Sequence, residues 1–371
     1  MTPTSFIIVA GDFTPLGGMD RANHALASFL ARRGADVTLV THRAWPDLLE
    51  LGAKVVTVPR PLGSHLLGAP LLAAAGERAA RLAPPGTRVI ANGGNVDVGD
   101  VVWVHYLHAA HSSPAAGGWL RRQRVARANA LYLAKERAAI PRARMVICNS
   151  RRTARDVHRA YNLPIERLHV VYYGSDATTF APVTPEQRAS ARRALGWNSQ
   201  PVALFVGALG DYRKGFDRLF DAWTILTRDP NWDVALAVAG AGADLGWQQC
   251  AAGTRDVRFL GFREDIAQVM AASDVLVHPA RYEAYGLGVH EALCRAVPAI
   301  VSKDAGVAER YPEELRELLI DDVESAAEIA GRLQRWRDAG PGLASGMVTF
   351  SRRLHSRTWD DMAAELVEHV Q

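Results

Sequence analysis

The segment SDVLVHPARYEAYGLGVHEALCRAVPAIVS, residues 273–302, contains a strand, a glycine-containing loop, a helix and a second strand. SDVLVHP and VPAIVS are short apolar runs without strict alternation, which is typical of strands covered on both faces. EALCRA continues a helix whose start lies near Gly286. This order of elements predicts a parallel strand–helix–strand unit with a right-handed crossover.

The same pattern recurs along most of the chain. Apolar runs alternate with helical stretches, for example at SFIIVA (5–10), ADVTLVT (35–41), ARMVICNS (143–150), PVALFVG (201–207) and WDVALAVAG (232–240). Between the two groups of runs, DATTFAPVTPEQ (176–187) contains two prolines and no periodicity, so we interpret it as a linker. The prediction is an α/β protein with two Rossmann-like, doubly wound parallel-sheet domains, 1–178 and 179–354.

The composition describes a folded protein, because 22% of its 371 residues are charged and 49% are hydrophobic. The start, MTPTSF, lacks a basic region, and the apolar stretch 66–76 is too short to span a bilayer. The three cysteines, Cys148, Cys250 and Cys294, are predicted to be reduced, buried thiols. A cytoplasmic protein is therefore expected. No Cys or His spacing typical of a metal site occurs, so no metal or other cofactor is expected.

The net charge of +4 is distributed unevenly. Residues 1–180 carry 22 Lys and Arg against 12 Asp and Glu, whereas residues 181–371 carry 21 against 27. Residues 119–144 contain eight basic residues and one acid, mixed with aromatic and aliphatic positions. This segment indicates a basic amphipathic helix that contacts an anionic membrane surface or a lipid-linked acceptor. A solvated arginine-rich helix is the alternative, and no recognisable nucleic-acid module surrounds the segment.

A second glycine loop, in FVGALGDYRKGFDRLFDAW (205–223), joins a strand to an amphipathic helix. Lys214 directly precedes Gly215 at the start of that helix. Free amides at a helix N-terminus, together with an adjacent lysine, bind phosphate-type anions. A solvated basic pair, Arg213 and Lys214, is the alternative, because the spacing does not match a P-loop.

Two glutamates flank the helix start in the opening segment. Glu283 lies in the loop before the helix, and Glu291 lies about one turn into it. Between them, the amides of Tyr285, Gly286 and Leu287 belong to a helix N-terminus. Carboxylates accept hydrogen bonds from sugar hydroxyls, and amides and cations hold phosphates. The alternative is that each glutamate only favours the helix dipole.

These motifs resemble the nucleotide-sugar site of retaining GT-B glycosyltransferases of family 4, also called glycosyl transferases group 1. The resemblance covers some 300 residues and includes AGDFTPLGGMDRANHALASFLARRGADVTLVTH (10–42) and ICNSRRTARDVHRAYNLPIERLHVVYYGSDATTFAP (147–182). It implies a GT-B fold with the site in a cleft between two domains, and a C-terminal helix at about 355–371 that returns to the first domain. The implied activity is retaining, metal-independent transfer of a hexose-type sugar from a nucleoside-diphosphate sugar to a hydroxyl acceptor, a glycan or a lipid-linked saccharide.

The resemblance also implies roles for individual residues. Lys214 would hold the donor diphosphate, Glu291 the ribose hydroxyls and Glu283 a hydroxyl of the transferred sugar. His105 would lie near the reacting sugar; a buried structural histidine is the alternative, since His108 and His111 are nearby. The remaining implied donor-binding positions are Gly17, Gly18, Gly207, Arg213, Phe262, Arg263, Tyr285, Gly286 and Leu287.

The chain departs from the family pattern at three positions. Ala208 stands where an arginine usually follows the glycine of the phosphate strand, which leaves open whether Arg213 replaces that cation. Ala296 stands where a glycine is usual, and Trp103 where a histidine often precedes His105. Two other functions keep the fold: a sugar-nucleotide epimerase or phosphorylase, and a non-catalytic nucleotide-sugar-binding scaffold.

Overall fold

A computed structural model describes residues 5–111, 119–242 and 244–371. The chain divides into two compact units. Unit 1 comprises the residues up to Gly174 together with Thr358–Gln371, and unit 2 comprises Ser175–Arg357. The boundary predicted after residue 178 lies just beyond the point where the chain leaves unit 1.

The described part of unit 1 contains nine strands and six α-helices. The strands are β1 Ser5–Val9, β2 Asp12–Phe13, β3 Asp36–Thr41, β4 Arg43–Ala44, β5 Lys54–Thr57, β6 Arg88–Asn92, β7 Val101–Val104, β8 Met145–Cys148 and β9 Leu168–Val170. The helices are α1 Met19–Arg32, α2 Pro46–Glu50, α3 His65–Leu82, α4 Trp119–Ala139, α5 Arg151–Tyr161 and α13 Trp359–Val370.

The described part of unit 2 contains six strands and seven α-helices. The strands are β10 Val202–Val206, β11 Ala235–Ala239, β12 Val257–Gly261, β13 Val275–His278, β14 Ala299–Ser302 and β15 Leu319–Ile320. The helices are α6 Pro185–Ala194, α7 Phe216–Leu226, α8 Asp244–Ala251, α9 Ile266–Ala272, α10 Leu287–Cys294, α11 Ala326–Ala339 and α12 Ala344–His355.

Each unit is built around one parallel sheet. The strand order is β5-β3-β1-β6-β7-β8-β9 in unit 1 and β12-β11-β10-β13-β14-β15 in unit 2, and the neighbouring strands pair in parallel. The central strands are buried, with Ile8 and Leu204 fully covered, because helices pack on both faces. The predicted α/β class and the paired parallel sheets are confirmed. In a parallel sheet, the carboxyl ends of all strands meet at one edge, where the loops that bind ligands begin.

The final helix packs within unit 1. It begins at Trp359, later than the predicted 355–371, because Thr358 and Asp361 form a capping box that starts a new helix. Asp360 forms an ion pair of 2.6 Å with Arg32 of α1. The carbonyl oxygen of Val370 accepts a hydrogen bond from Arg88 Nε at 2.8 Å.

Cys148 and Cys294 are buried as predicted, but Cys250, on the short helix α8, is exposed, contrary to the prediction. Among the described residues, no helix has both the length and the apolar character needed to cross a membrane.

Candidate functional site

Two predicted site residues, Gly207 and Phe262, lie at the carboxyl edge of the unit 2 sheet together with Gly240 and His278, which the sequence analysis did not single out. Gly207 follows β10, Gly240 follows β11, Phe262 follows β12, and His278 ends β13. Since these four strands are neighbours in one parallel sheet, their ends form a continuous row. In this row, the backbone packs closely at Gly207 and Gly240, the ring of Phe262 is exposed, and His278 belongs to a cluster of polar side chains.

Lys214 and Glu283 are in direct contact at this edge. Lys214 Nζ lies 2.6 Å from Glu283 Oε2, and His278 Nε2 lies 3.0 Å from the same oxygen. Because a carboxylate oxygen accepts hydrogen bonds, both nitrogens act as donors. The sequence pointed to Lys214 and Glu283 separately, and the structure brings them together.

The charge of Glu283 is set by two opposing effects. Burial alone would raise the pKa of its carboxyl group, but the Lys214 charge and the His278 hydrogen bond lower the pKa well below its usual range. Glu283 is therefore a carboxylate at neutral pH. It can accept a further hydrogen bond from a ligand without first losing a proton.

Glycines allow the backbone around Lys214 to pack tightly. Gly215 has φ of +70°, and a Cβ there would overlap the carbonyl oxygen of Pro279. A Cβ at Gly240 would likewise overlap the carbonyl oxygen of Gly207. A Cβ at Gly207 itself would lie 3.4 Å from Lys214 Cγ, so the lysine stem passes directly over this glycine.

The loop before α10 is held by backbone hydrogen bonds. The carbonyls of Glu283 and Tyr285 accept hydrogen bonds from the amides of Gly306 (3.1 Å) and Val307 (2.7 Å). Gly286 has φ of +102° and directly precedes Leu287, the first residue of α10. A Cβ at Gly286 would lie 3.2 Å from Glu283 Cγ, so this glycine lets the glutamate side chain lie against the helix start.

The other predicted unit 2 residues lie around this cluster. Glu291 is buried within α10. Phe262 is 72% exposed, and Arg263 forms two hydrogen bonds with Asp265, of 2.7 and 2.5 Å. Arg213 is similarly bound by Asp211, at 2.9 and 2.6 Å. The structure therefore pairs both arginines with neighbouring aspartates.

In unit 1, Gly17 and Gly18 form the loop that precedes α1. Gly17 has φ of +82°, and Gly18 caps the helix. In the first turn of α1, burial and the nearby charge of Asp12 raise the pKa of Asp20 to about 6, against the opposing charge of Arg43. The glycine loop therefore lies beside a carboxyl group that is unusually difficult to ionise.

Replacing Asp20 by Asn is expected to raise the Tm at pH 7 and to have little effect at pH 4. The unfolded chain loses the proton near pH 3.8, whereas the folded state keeps it to about pH 6. Stability therefore falls as pH rises through this window, and Asn removes the penalty, roughly 1–2 kcal/mol after allowance for partial exposure. Thermal unfolding at both pH values measures the effect, with Asp36→Asn as the control. An equal change in Tm at the two pH values would contradict the expectation.

His105 follows β7 and is buried in unit 1. Its Nδ1 lies 2.5 Å from the Tyr173 hydroxyl, and Asn149 Nδ2 donates to the His105 carbonyl at 3.0 Å. Burial lowers the pKa of His105 to about 3. His108 instead bonds Glu136 through Nδ1 at 2.7 Å, which gives that histidine a structural role.

Four residues of this arrangement were not identified from the sequence: His278, Gly240, Asn149 and Tyr173. His278 carried a weak signal, as a polar residue that ends the apolar run VLVH at the edge where ligands bind. The other three carried none, because their contacts join segments that are distant along the chain.

Helix α4 covers most of the basic segment predicted at 119–144. Its exposed side chains include Arg124, Arg127 and Arg137. The apolar residues are spread around the helix and do not form one stripe, so it is less amphipathic than expected. Its exposed positions combine these arginines with Trp119, which is 69% exposed. In the described residues, no group of three or more His, Cys, Asp or Glu side chains is arranged to hold a metal ion.

Comparisons with known proteins agree with this architecture. The family model described as Glycosyltransferase Family 4 matches residues 16–179, and the model described as Glycosyl transferases group 1 matches residues 200–336. A D-inositol 3-phosphate glycosyltransferase from Xylanimonas cellulosilytica is 27% identical over 95% of this chain and 91% of its own length. The protein of the same name from Corynebacterium urealyticum is 28% identical over 63% of this chain and 58% of its own length.

Solved structures show the same fold. WaaG, a glycosyltransferase involved in lipopolysaccharide biosynthesis, superposes with a TM-score of 0.78 at 21% identity and covers 99% of both chains. Anabaena HepE in complex with UDP and glucose gives a TM-score of 0.70 at 21% identity and covers 98% of both chains. The chain therefore belongs to the family 4, group 1 glycosyltransferases and has the GT-B fold of these enzymes.

Proposed function

We propose that this enzyme transfers a hexose-type sugar from a nucleoside-diphosphate sugar to a hydroxyl acceptor, with retention of configuration and without a metal ion. The observation that carries the proposal is the contact between Lys214 Nζ and Glu283 Oε2, 2.6 Å long, at the carboxyl edge of the unit 2 sheet. This contact supports the proposal, because a cation suited to a diphosphate lies beside a carboxylate suited to a sugar hydroxyl.

The donor roles are assigned within unit 2. Lys214 moves from Glu283 to the diphosphate, and the amides of Gly286 and Leu287 at the start of α10 add partial positive charge. Glu291 accepts hydrogen bonds from the ribose. Phe262 offers its exposed ring as a stacking surface for the base. Because Arg213 is already paired with Asp211, we assign the charge missing at Ala208 mainly to Lys214 and the amides.

The transfer step follows from the charges at this edge. As the glycosidic bond breaks, negative charge grows on the leaving diphosphate, and Lys214 with the helix amides stabilises it in place of a metal. When Lys214 turns to the diphosphate, Glu283 keeps the hydrogen bond from His278, so it suits hydrogen bonding to a hydroxyl better than nucleophilic attack on carbon. The acceptor oxygen therefore attacks from the face that the diphosphate leaves, and its proton passes to the departing phosphate.

The similar proteins support particular substrates. HepE was crystallised with UDP and glucose and with UDP-glucose, which favours a uridine donor, with a guanosine donor as the alternative. WaaG is involved in lipopolysaccharide biosynthesis, and the relatives from Xylanimonas cellulosilytica and Corynebacterium urealyticum are named D-inositol 3-phosphate glycosyltransferases. These names favour a saccharide or a lipid-linked acceptor with a free hydroxyl.

The test begins with thermal-shift measurements of UDP and GDP, since a ligand at 100 times its Kd stabilises by about 2.7 kcal/mol. Nucleotide release from the matching nucleotide sugar is then measured with and without acceptor, in EDTA and in Mg²⁺. We expect acceptor-dependent release in EDTA and a product whose anomeric NMR signal shows retention. A product with inverted configuration would contradict the retaining mechanism. Activity only in the presence of Mg²⁺ would contradict the metal-independent mechanism. Nucleotide binding without any transfer or hydrolysis would indicate a non-catalytic scaffold.

We also propose that α4 contacts an anionic membrane surface or a lipid-linked acceptor. The exposed arginines of this helix and the positive balance of residues 1–180 support the proposal. We expect the protein to sediment with phosphatidylglycerol vesicles at low salt. This binding should weaken in high salt, and it should also weaken in the double variant Arg124→Glu/Arg127→Glu. Equal binding to neutral phosphatidylcholine vesicles would contradict an electrostatic contact.

A further inference from the structure

Arg281 uses all of its side-chain donors within unit 2. It lies in the loop between β13 and α10, and its side chain is 6% exposed. Nη1 and Nη2 each donate to a carboxylate oxygen of Asp217, both at 2.7 Å. Nε and Nη2 donate to Glu324 at 2.5 and 3.0 Å. Nη1 also donates to the carbonyl oxygen of Tyr212 at 2.9 Å, so the five N–H groups of the guanidinium make five hydrogen bonds.

Arg281 also binds the backbone of the turn that ends in Lys214. In the 3₁₀ turn Tyr212–Lys214, the carbonyl of Tyr212 accepts from the guanidinium, and the carbonyl of Arg213 accepts from the main-chain amide of Arg281 at 2.8 Å. The guanidinium carbon lies 3.7 Å from the centroid of the Tyr212 ring, a distance at which a cation and an aromatic face attract each other. Arg281 therefore holds both residues that directly precede Lys214.

The loop that contains Arg281 also contacts the other end of the turn. Gly215, which follows Lys214, lies so close to the carbonyl oxygen of Pro279 that a Cβ would overlap it. Two residues beyond Arg281 is Glu283, whose Oε2 lies 2.6 Å from Lys214 Nζ. The turn and the loop meet because β10 and β13, which precede them, are neighbouring strands. The backbone of Lys214 is thus held on both sides, whereas its four-carbon stem can still rotate.

Arg281 is unsuited to binding a phosphate itself, although it is a cation close to Lys214. Its single positive charge lies between two carboxylates, those of Asp217 and Glu324. Burial would raise the pKa of Asp217, but the hydrogen bonds and the charge of Arg281 lower it below its usual range, so Asp217 is ionised at neutral pH. With its donors occupied and its charge offset, Arg281 does not replace the cation missing at Ala208. Any contribution to diphosphate binding passes through Lys214.

We propose that Arg281 is a positioning residue that fixes the Tyr212–Lys214 turn against the loop that carries Glu283, so that Lys214 Nζ passes from Glu283 to the donor diphosphate while its backbone stays in place. The inference rests on the proposed function for the identity of the ligand. A lysine at position 281 would keep the charge, but it has three donors on one nitrogen in place of five donors on three nitrogens. Arg281→Lys therefore tests the geometry and not the charge.

The effect of Arg281 on the turn can be measured without substrate. In the ligand-free protein, the amides of Lys214 and Gly215 donate within the turn to the carbonyls of Asp211 and Tyr212, at 3.0 and 3.3 Å. We expect Arg281→Lys to speed hydrogen exchange of these two amides about 10-fold and to leave the buried strand β11 unchanged. Mass spectrometry measures the exchange. Unchanged rates at Lys214 and Gly215 would overturn the proposal.

Arg332→Lys is the matched control. The Arg332 side chain belongs to the same unit, is 15% exposed, and donates to two carboxylates and one carbonyl oxygen at 2.8, 3.3 and 2.8 Å. These contacts lie outside the turn, so the exchange of Lys214 should match the wild type. If Arg281→Lys does not fold, Tyr212→Leu removes the ring under the guanidinium and should speed the same two amides about 3-fold. Wild-type exchange in Tyr212→Leu would then be the contradicting result.

A double variant shows whether Arg281 acts through Lys214. We expect Arg281→Lys to lower kcat/KM for the donor about 10-fold in the wild-type background, and less than about 2-fold in Lys214→Met, where the positioned amine is already absent. A general loss of packing would lower kcat/KM by the same factor in both backgrounds, and this result would overturn the proposal. Arg332→Lys should leave kcat/KM unchanged.

Failure of this inference can be distinguished from failure of the proposed function. Faster exchange in Arg281→Lys, together with a wild-type protein that transfers no sugar, would contradict the proposed function and support the effect of Arg281 on the turn. A wild-type protein that transfers sugar, with the same exchange rates in Arg281→Lys, would contradict only the role assigned to Arg281.

Discussion

Glu283→Gln is expected to lower kcat about 100-fold while the protein keeps its fold. Glutamine has the same shape, but it replaces a charged acceptor by a neutral one, and hydrogen bonds to charged groups contribute about 1.5–3 kcal/mol. Lys214 and His278 also lose the carboxylate that both contact. Initial rates at saturating donor measure the effect, and thermal unfolding confirms that the fold remains.

The matched control is Glu313→Gln, a glutamate of the same unit whose side chain is 80% exposed. It is expected to turn over at the wild-type rate. If Glu283→Gln does the same, Glu283 has no place in the transfer step.

Lys214→Met is expected to lower kcat/KM for the donor about 10²- to 10³-fold. The methionine fills a similar volume, but it supplies no charge to the leaving diphosphate, and removal of one such electrostatic contact typically has this effect. Lys54→Met, at a lysine of unit 1 that is 67% exposed, is the control and should retain full activity. A rate near that of the wild type would remove Lys214 from the diphosphate site.

The same variant should lose stability in a pH-dependent way. In the folded wild type, the pKa of Glu283 lies below the unfolded value of 4.5, because Lys214 and His278 outweigh the effect of burial. The contribution to stability is therefore present above pH 4.5 and is lost as pH falls through the folded pKa. The difference in Tm between wild type and Lys214→Met should be largest near pH 7 and should shrink as the pH falls below 4.5.

The double variant Lys214→Met/Glu283→Gln shows whether the two side chains act together or contribute independently to transfer. If the two side chains act together, the combined loss of kcat/KM is smaller than the product of the two single losses. If the loss of kcat/KM in the double variant equals the product of the two single losses, the 2.6 Å contact in the ligand-free enzyme does not affect transfer.

Much of the architecture could be predicted from local patterns. Buried apolar runs such as VALFV and VLVH, separated by helical stretches, indicate parallel strands that are covered on both faces. The amphipathic pattern of α7 also holds, since Phe216, Leu219 and Trp223 are all buried. The C-terminal helix predicted at about 355–371 is present at Trp359–Val370, and only its start differs, because helix periodicity does not reveal the Thr358 capping box.

The sequence by itself determined the fold class, the glycine loops and the candidates Lys214 and Glu283, because these depend on residue type and on spacing within one segment. Tertiary structure alone decided which side chains meet. Lys214 and Glu283 are 69 residues apart, and they touch because β10 and β13 are neighbours in the sheet. The same holds for His105, Asn149 and Tyr173, at the ends of three adjacent strands. Strand order is set by long-range packing, so these contacts, and the protonation states that depend on them, cannot be read from any one segment.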